Sequence, residues 1–392
     1  MWTVLVVALA VAVGTSDAWS KGTRHRRQSA ASRVAARTAA WRAAPPVGQY
    51  RAALLVEHDT GRVLFQHEPH RQWPPASMVK MMTALVAFDA IREGKLTLGH
   101  PVRISANVAR ATGSRVYLRP GRDMPLGELL KAMLVASAND ASIAVAEAVA
   151  GSVEAMVERM NVRARELGLF ETVYRSVNGL PPRNGLPADV TTAYDLVVLA
   201  RKLLEYPEVL KLSAQREVPF GRTKLRNTNH LVGRLPGLDG LKTGYYRVAG
   251  FNLTATASRD GMRLVSIVLG CPTLHCRFAV TEHLMEWGFA NYSRMNLIRA
   301  GEPLSIEVQV ANGTKAALRP IAAETSSYLL RRDEVRDLQV RFQVPSIVSA
   351  PIVKDQPLGE IIIHDGDGVL DVIPALAPAD IGQQPASQPV RN

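Results

Sequence analysis

The strongest constraint on this chain is that strand patterns stand at both ends of a long helical stretch. Residues Ala52–Glu57 are apolar and strand-like, Asp59-Thr60-Gly61 reads as a turn, and residues 62–66 return as a second strand. Trp73-Pro74-Pro75 breaks the chain, and a helix is predicted from near Ala76, with Met78, Val79, Met82, Leu85 and Val86 at helical spacing. A helical region follows over residues 126–169, interrupted at Ser137-Ala138-Asn139-Asp140, and another over 192–204. Strand character returns at 251–257 and 262–269 around the turn Ser258-Arg259-Asp260-Gly261, and 277–289 reads as a helix. Strands at both ends with helices between give a mixed α/β or α+β domain, bounded at 48–290.

Beyond residue 291 the pattern changes. Ile306, Val308 and Val310 alternate with polar residues, as do Leu338, Val340, Phe342 and Val344, and two apolar runs flank His364-Asp365-Gly366-Asp367-Gly368. Short alternating runs with turns predict a small all-β domain over 291–377, followed by a polar tail at 378–392. A chain of 392 residues is long enough for two such cores.

The net charge of +12 is unevenly placed. Seven basic residues and no acid lie between Lys21 and Arg42, which marks 19–47 as a basic Ala/Arg-rich linker. The plain reading is a solvated linker; the sharper one is contact with a membrane surface through anionic headgroups, or with acidic wall polymers. No RNP, zinc-finger or helix-turn-helix signature supports a nucleic-acid partner. Residues 2–13 form an apolar run of signal-peptide length, with Ser16-Asp17-Ala18 as a small-x-small cleavage site, so 1–18 is expected to be a leader for export. No Lys or Arg precedes that run, which leaves open an incomplete leader or a retained anchor. Cys271 and Cys276 fit either a short disulfide or two buried thiols, and no Cys/His spacing suggests a metal; no cofactor is expected.

Three short motifs carry the chemistry: Ser77-Met78-Val79-Lys80, Ser137-Ala138-Asn139 and Lys242-Thr243-Gly244. Each is weak alone. Ser105-Ala106-Asn107 and Ser176-Val177-Asn178 also match S-x-N, whereas K-T-G occurs once. Together and in order they point to one site. A serine hydroxyl needs an adjacent base to become a nucleophile, and positions i and i+3 of a helix share a face, so Lys80 can serve Ser77. Lys80 must then be partly neutral, which burial and a nearby Lys242 would favour. Ser77 in a first helical turn has free amides for a developing oxyanion. Asn139 can donate to a substrate carbonyl, Ser137 can relay a proton, and Lys242 and Thr243 can bind a carboxylate on a strand edge. Taken singly, the first two motifs read more readily as an N-cap serine with a surface lysine and as a capped helix break, and the third reads also as a solvated turn.

With their flanking residues, these motifs make the chain resemble the penicillin-binding D-alanyl-D-alanine carboxypeptidases of serine peptidase family S11. The likeness extends through residues 75–85, 137–142, Asn227-Thr228-Asn229, 239–244 and Ala249-Gly250-Phe251, and covers roughly 50–290, more loosely to 376. It implies a β-lactamase-like, serine D,D-transpeptidase-like fold, and Ser77 as nucleophile toward peptidoglycan stem peptides ending in D-Ala-D-Ala. It also implies β-lactams as inhibitors and a periplasmic or other extracytoplasmic place. By the same resemblance Ser137 begins the active S-x-N, the amides of Ser77 and Tyr245 form the oxyanion hole, and Gly244 and Arg277 lie near the substrate's terminal carboxylate. Three departures stand out. Tyr246 replaces the family's usual Thr, residues 380–392 hold no counterpart of its amphipathic helix, and the Arg-rich linker is atypical. A class A β-lactamase would need a Glu-x-x-Leu-Asn stretch, which is missing, and no G-x-S-x-G elbow supports a Ser-His-Asp site. A D,D-endopeptidase and a non-catalytic penicillin-binding wall protein remain the rival readings.

Overall fold

The computed structural model describes residues 2–8 (backbone only), 48–181, 186–332 and 338–385. The expected leader beyond residue 8, the expected basic linker over 19–47 and the residues beyond 385 lie outside the described residues. Two compact units divide between Ala290 and Asn291.

In the larger unit the elements run Ala52–Glu57 (β1), Val63–His67 (β2), Lys80–Arg92 (α1), Leu126–Val135 (α2), Asn139–Ala150 (α3), Val153–Glu166 (α4) and Ala193–Leu203 (α5). Then follow Glu217–Phe220 (β3), Thr223–Arg226 (β4), Leu238–Tyr246 (β5), Gly250–Arg259 (β6), Met262–Cys271 (β7) and Leu274–Asn291 (α6). The main sheet is antiparallel in the order β2-β1-β7-β6-β5. The two predicted hairpins are thus joined by β1 pairing with β7, Leu264 opposite Glu57 and Leu269 opposite Ala52. β5 is an edge strand.

The helical region breaks twice. The expected break falls at 136–138. A second falls at Gly151-Ser152, where Ser152 Oγ accepts from Ala155 N at 3.1 Å and starts α4 as an N-cap. α1 is not a surface helix with one apolar stripe. It is buried from Lys80 through Phe88, which suits a sequence apolar on nearly every face. It packs against α2, α3, α4 and α5, while the 3-10 turn before it, Ala76–Val79, abuts β5 and β6. The mouth of the site is therefore where a helical bundle meets the sheet edge.

The smaller unit is β-rich. Leu338–Pro345 (β8), Pro357–Asp365 (β9) and Gly368–Leu376 (β10) form an antiparallel meander, with Ile321–Ala322 beside β10. Alternation along β8 and β9 buries Val340, Phe342, Val344, Ile361 and Ile363 in one core. Trp2–Ala8 pairs as an antiparallel strand with β8. One expectation shifts here. Ile381, placed in the polar tail, is 3% exposed and exchanges backbone hydrogen bonds with Ile352.

Candidate active site

Ser77 lies in the 3-10 turn, one residue after Ala76, whose φ of 51° is left-handed. Such backbone persists in a non-glycine residue only when its surroundings fix it. Two glycines do so. Gly179 passes so close that a Cβ there would sit 1.9 Å from Ala76 O, and at Gly244 it would sit 2.4 Å from Pro75 O. Any side chain at either position would push the nucleophile's turn out of place.

Lys80 begins α1 and is fully buried. Its Nζ lies 2.8 Å from Ser77 Oγ, 2.8 Å from Asn139 Oδ1 and 2.8 Å from the backbone carbonyl of Asn178. Burial, and then the charge of Lys242, hold the Lys80 pKa well below the usual lysine range, with Asp189 and Asp140 opposing. A neutral amine keeps two N–H groups for the two carbonyl oxygens and one lone pair for the serine hydroxyl.

Ser137 sits in the gap between α2 and α3 with φ 61°, and its Oγ accepts from Lys242 Nζ at 2.9 Å. Lys242 is on β5, 1% exposed, and also donates to Thr243 O at 2.9 Å. Burial, then Arg277, pull its pKa down to about 7. Asn139 donates its Nδ2 to Thr112 O at 2.6 Å and its backbone N to Ser114 O at 2.7 Å. Asp140 accepts from the amides of Val116 and Leu118 at 3.1 Å. The loop 112–118 is thus fastened to the first residues of α3.

At the other end, Thr243 Oγ1 donates to Thr228 Oγ1 at 2.7 Å. Arg277, in the first turn of α6, is 5% exposed and donates Nη1 to Gly244 O at 3.3 Å and to Asn252 O at 3.4 Å. Its guanidinium stacks over Phe251 and Phe278, burial lowers its pKa to about 10, and its Nε lacks a partner. No carboxylate among the described residues pairs with it, so this buried cation is left for an incoming anion. Tyr245, next on β5, is half exposed and stacks on Phe251 at 4.1 Å. Cys271 at the end of β7 and Cys276 beside Arg277 form a disulfide.

All nine candidate residues therefore gather where the Ser77 turn, the start of α3, β5 and the first turn of α6 meet. Four further contributors were given no part in the site by the sequence reading. Asn178 acts through its main chain and Thr112 and Ser114 through carbonyls, so side-chain type gives no signal; Thr228 was noticed only as part of a matching stretch. Asn178 even belongs to the S-x-N match set aside as a decoy. The other, Ser105, caps a short helix by accepting from Val108 N at 3.2 Å. No group of three or more His, Cys, Asp or Glu side chains able to hold a metal occurs among the described residues.

Residues 40–273 match the family model of the peptidase S11 D-alanyl-D-alanine carboxypeptidases. The chain belongs to that family. Residues 292–383 match the C-terminal domain of penicillin-binding protein 5, so the carboxypeptidase fold is followed by that family's β-rich domain. A D-alanyl-D-alanine carboxypeptidase of Bacillus subtilis, DacF, is 34% identical over 84% of this chain and 85% of its own length. Penicillin-binding protein 5 from Haemophilus influenzae aligns with TM-score 0.66 and 27% identity over 87% of this chain and 99% of its own. Penicillin-binding protein D2 from Listeria monocytogenes, in its ampicillin-bound form, aligns with TM-score 0.57 and 33% identity over 62% of this chain and 98% of its own. This chain is a serine-type carboxypeptidase of the S11 penicillin-binding proteins.

Proposed function

We propose that the carboxypeptidase removes the terminal D-alanine of peptidoglycan stem peptides through an acyl-enzyme on Ser77. The observation that carries this is the 2.8 Å contact of a buried, charge-disfavoured Lys80 amine with the Ser77 hydroxyl. Lys80 takes the hydroxyl proton as Oγ attacks the penultimate D-alanine's carbonyl. The amides of Ser77 and Tyr245 receive the oxyanion, Asn139 steadies the peptide, and Arg277 with Thr243 holds the terminal carboxylate. The C–N bond breaks and the leaving nitrogen takes a proton through the Ser137–Lys242 pair. Water then hydrolyses the acyl-enzyme and restores the serine.

A β-lactam presents a strained amide and a carboxylate to the same groups, so penicillin acylates Ser77 in this reading. The β-lactamase reading gains nothing from the described residues between 170 and 190, where the group on Lys80 is the Asn178 carbonyl. The buried Asp189 carboxylate is held by its own loop through the amides of Arg175 and Ser176. In this reading the enzyme works outside the cytoplasm, and its basic N-terminal segment is a solvated linker able to meet anionic headgroups. No described helix is long and apolar enough to cross a membrane.

D-alanine release from a soluble peptide ending in D-Ala-D-Ala tests the assignment. The parent is expected to release it and the Ser77→Ala variant not at all. Release by the variant at parental rate removes Ser77 from the reaction.

A further inference from the structure

β3 and β4 form a small hairpin whose two faces differ. Val218 is buried and Leu225 half-buried against the core, while Glu217 opposite Arg226, and Pro219 opposite Lys224, take the alternate positions. Between 216 and 226 stand Arg216, Arg222, Lys224 and Arg226, with Glu217 as the one acid. At the base of the hairpin lies a pocket of 680 Å³ lined by Arg216, Glu217, Arg226, Arg234, His230 and Asn229, among others. Arg226 is paired with Glu217, whereas Arg216 and Arg234 meet no carboxylate among the described residues.

This pocket adjoins the carboxylate end of the cleft along two routes. The segment Asn227-Thr228-Asn229 lies between them, with Thr228 turned to Thr243 and Asn229 holding Gly240 O at 3.0 Å. The His230 ring stacks on Phe278 at 5.1 Å, and the Arg277 guanidinium lies over the same ring at 4.7 Å. Beyond the place where a terminal carboxylate would bind, the surface thus continues into a pocket that holds Arg216 and Arg234 beside the Glu217–Arg226 pair. A single D-alanine is too short to use it. A longer leaving group would pass Arg277 and enter it.

We propose that this pocket is an anion subsite on the leaving-group side, taking the carboxylates of a peptide leaving group longer than one residue. This inference rests on the reading of the site given above. It extends the substrate class from stem ends to peptide crosslinks whose leaving strand is acidic. The chemistry is unchanged: the Ser77 ester forms, the amide C–N bond breaks, and the leaving nitrogen takes a proton. Arginine suits the role because its planar fork binds carboxylates through paired hydrogen bonds.

The full chain and its Arg216→Gln/Arg234→Gln variant would be compared on three probes. They are a peptide ending in D-Ala-D-Ala, a crosslinked peptide dimer with free leaving-side carboxylates, and the same dimer with those carboxylates amidated. The parent is expected to cut the free dimer about tenfold faster in kcat/KM than the amidated one at low salt, an advantage lost at high salt and in the variant. D-alanine release by the variant should stay within about twofold of the parent, since a remote pair adds little to a short substrate. Equal cutting of both dimers by the parent, no cutting of either, or an equal loss on all three probes in the variant would overturn the proposal. Failure of the underlying reading shows separately, as absent D-alanine release from the short peptide by the parent.

Discussion

Lys80 and Lys242 are both buried, and the charge of Lys242 makes that of Lys80 harder to hold. Lys242 is charged up to its ordinary pKa of 10.5 when unfolded but only to about 7 when folded. Its stability cost is therefore complete below about pH 7 and is relieved as pH rises toward 10.5. Lys242→Met is expected to stabilise the fold at pH 7 by on the order of 2 kcal/mol while abolishing D-alanine release. The gap in melting temperature between parent and variant should narrow as pH rises, and a gap constant with pH would contradict the cause given. Lys242→Gln offers a kinetic check. Without the Lys242 cation the Lys80 pKa rises, so the acid limb of the penicillin acylation profile should move to higher pH. An unmoved limb would mean that Lys242 does not tune Lys80.

At the level of elements, the Cys271–Cys276 disulfide fastens the end of β7 to the first turn of α6, one residue before Arg277. A loop this short contributes about 2 kcal/mol by chain entropy, so Cys276→Ser should lower the melting temperature by about 5 °C. It should also raise KM for the D-Ala-D-Ala peptide several-fold with kcat little changed, because Arg277 loses its anchorage. A fall in kcat with KM constant would break the link to carboxylate binding. The disulfide was legible only as one of two options, since spacing alone does not bring two thiols together. The hairpins β1-β2 and β6-β7 were legible because alternation and turn residues are local signals. β5 was not bounded from sequence: Gly240, Lys242 and Gly244 interrupt its apolar pattern, and its run from Gly240 through Gly244 is buried without alternating. The β3-β4 hairpin was missed because Pro219 and four cations mask a pattern with few apolar positions. The three motifs were legible through side-chain identity, whereas carbonyls such as that of Asn178 could not be, since every residue carries one.

The whole molecule joins a catalytic unit to a β-rich one, each with its own buried core. A chain ending at Tyr292 keeps α6 complete and should release D-alanine within about twofold of the full chain, because a separate core folds independently. Complete loss would give the β-rich unit a part in the site itself. The pairing of β1 with β7 has a further consequence for the making of this protein. Residues 52–57 wait for their partners at 264–269, so the sheet cannot close on a ribosome until about two hundred later residues have emerged. β5 and the turn holding Ser77 meet only across that sheet's edge. A nascent chain cut short before β7 therefore carries every motif of the carboxypeptidase and still remains blind to penicillin.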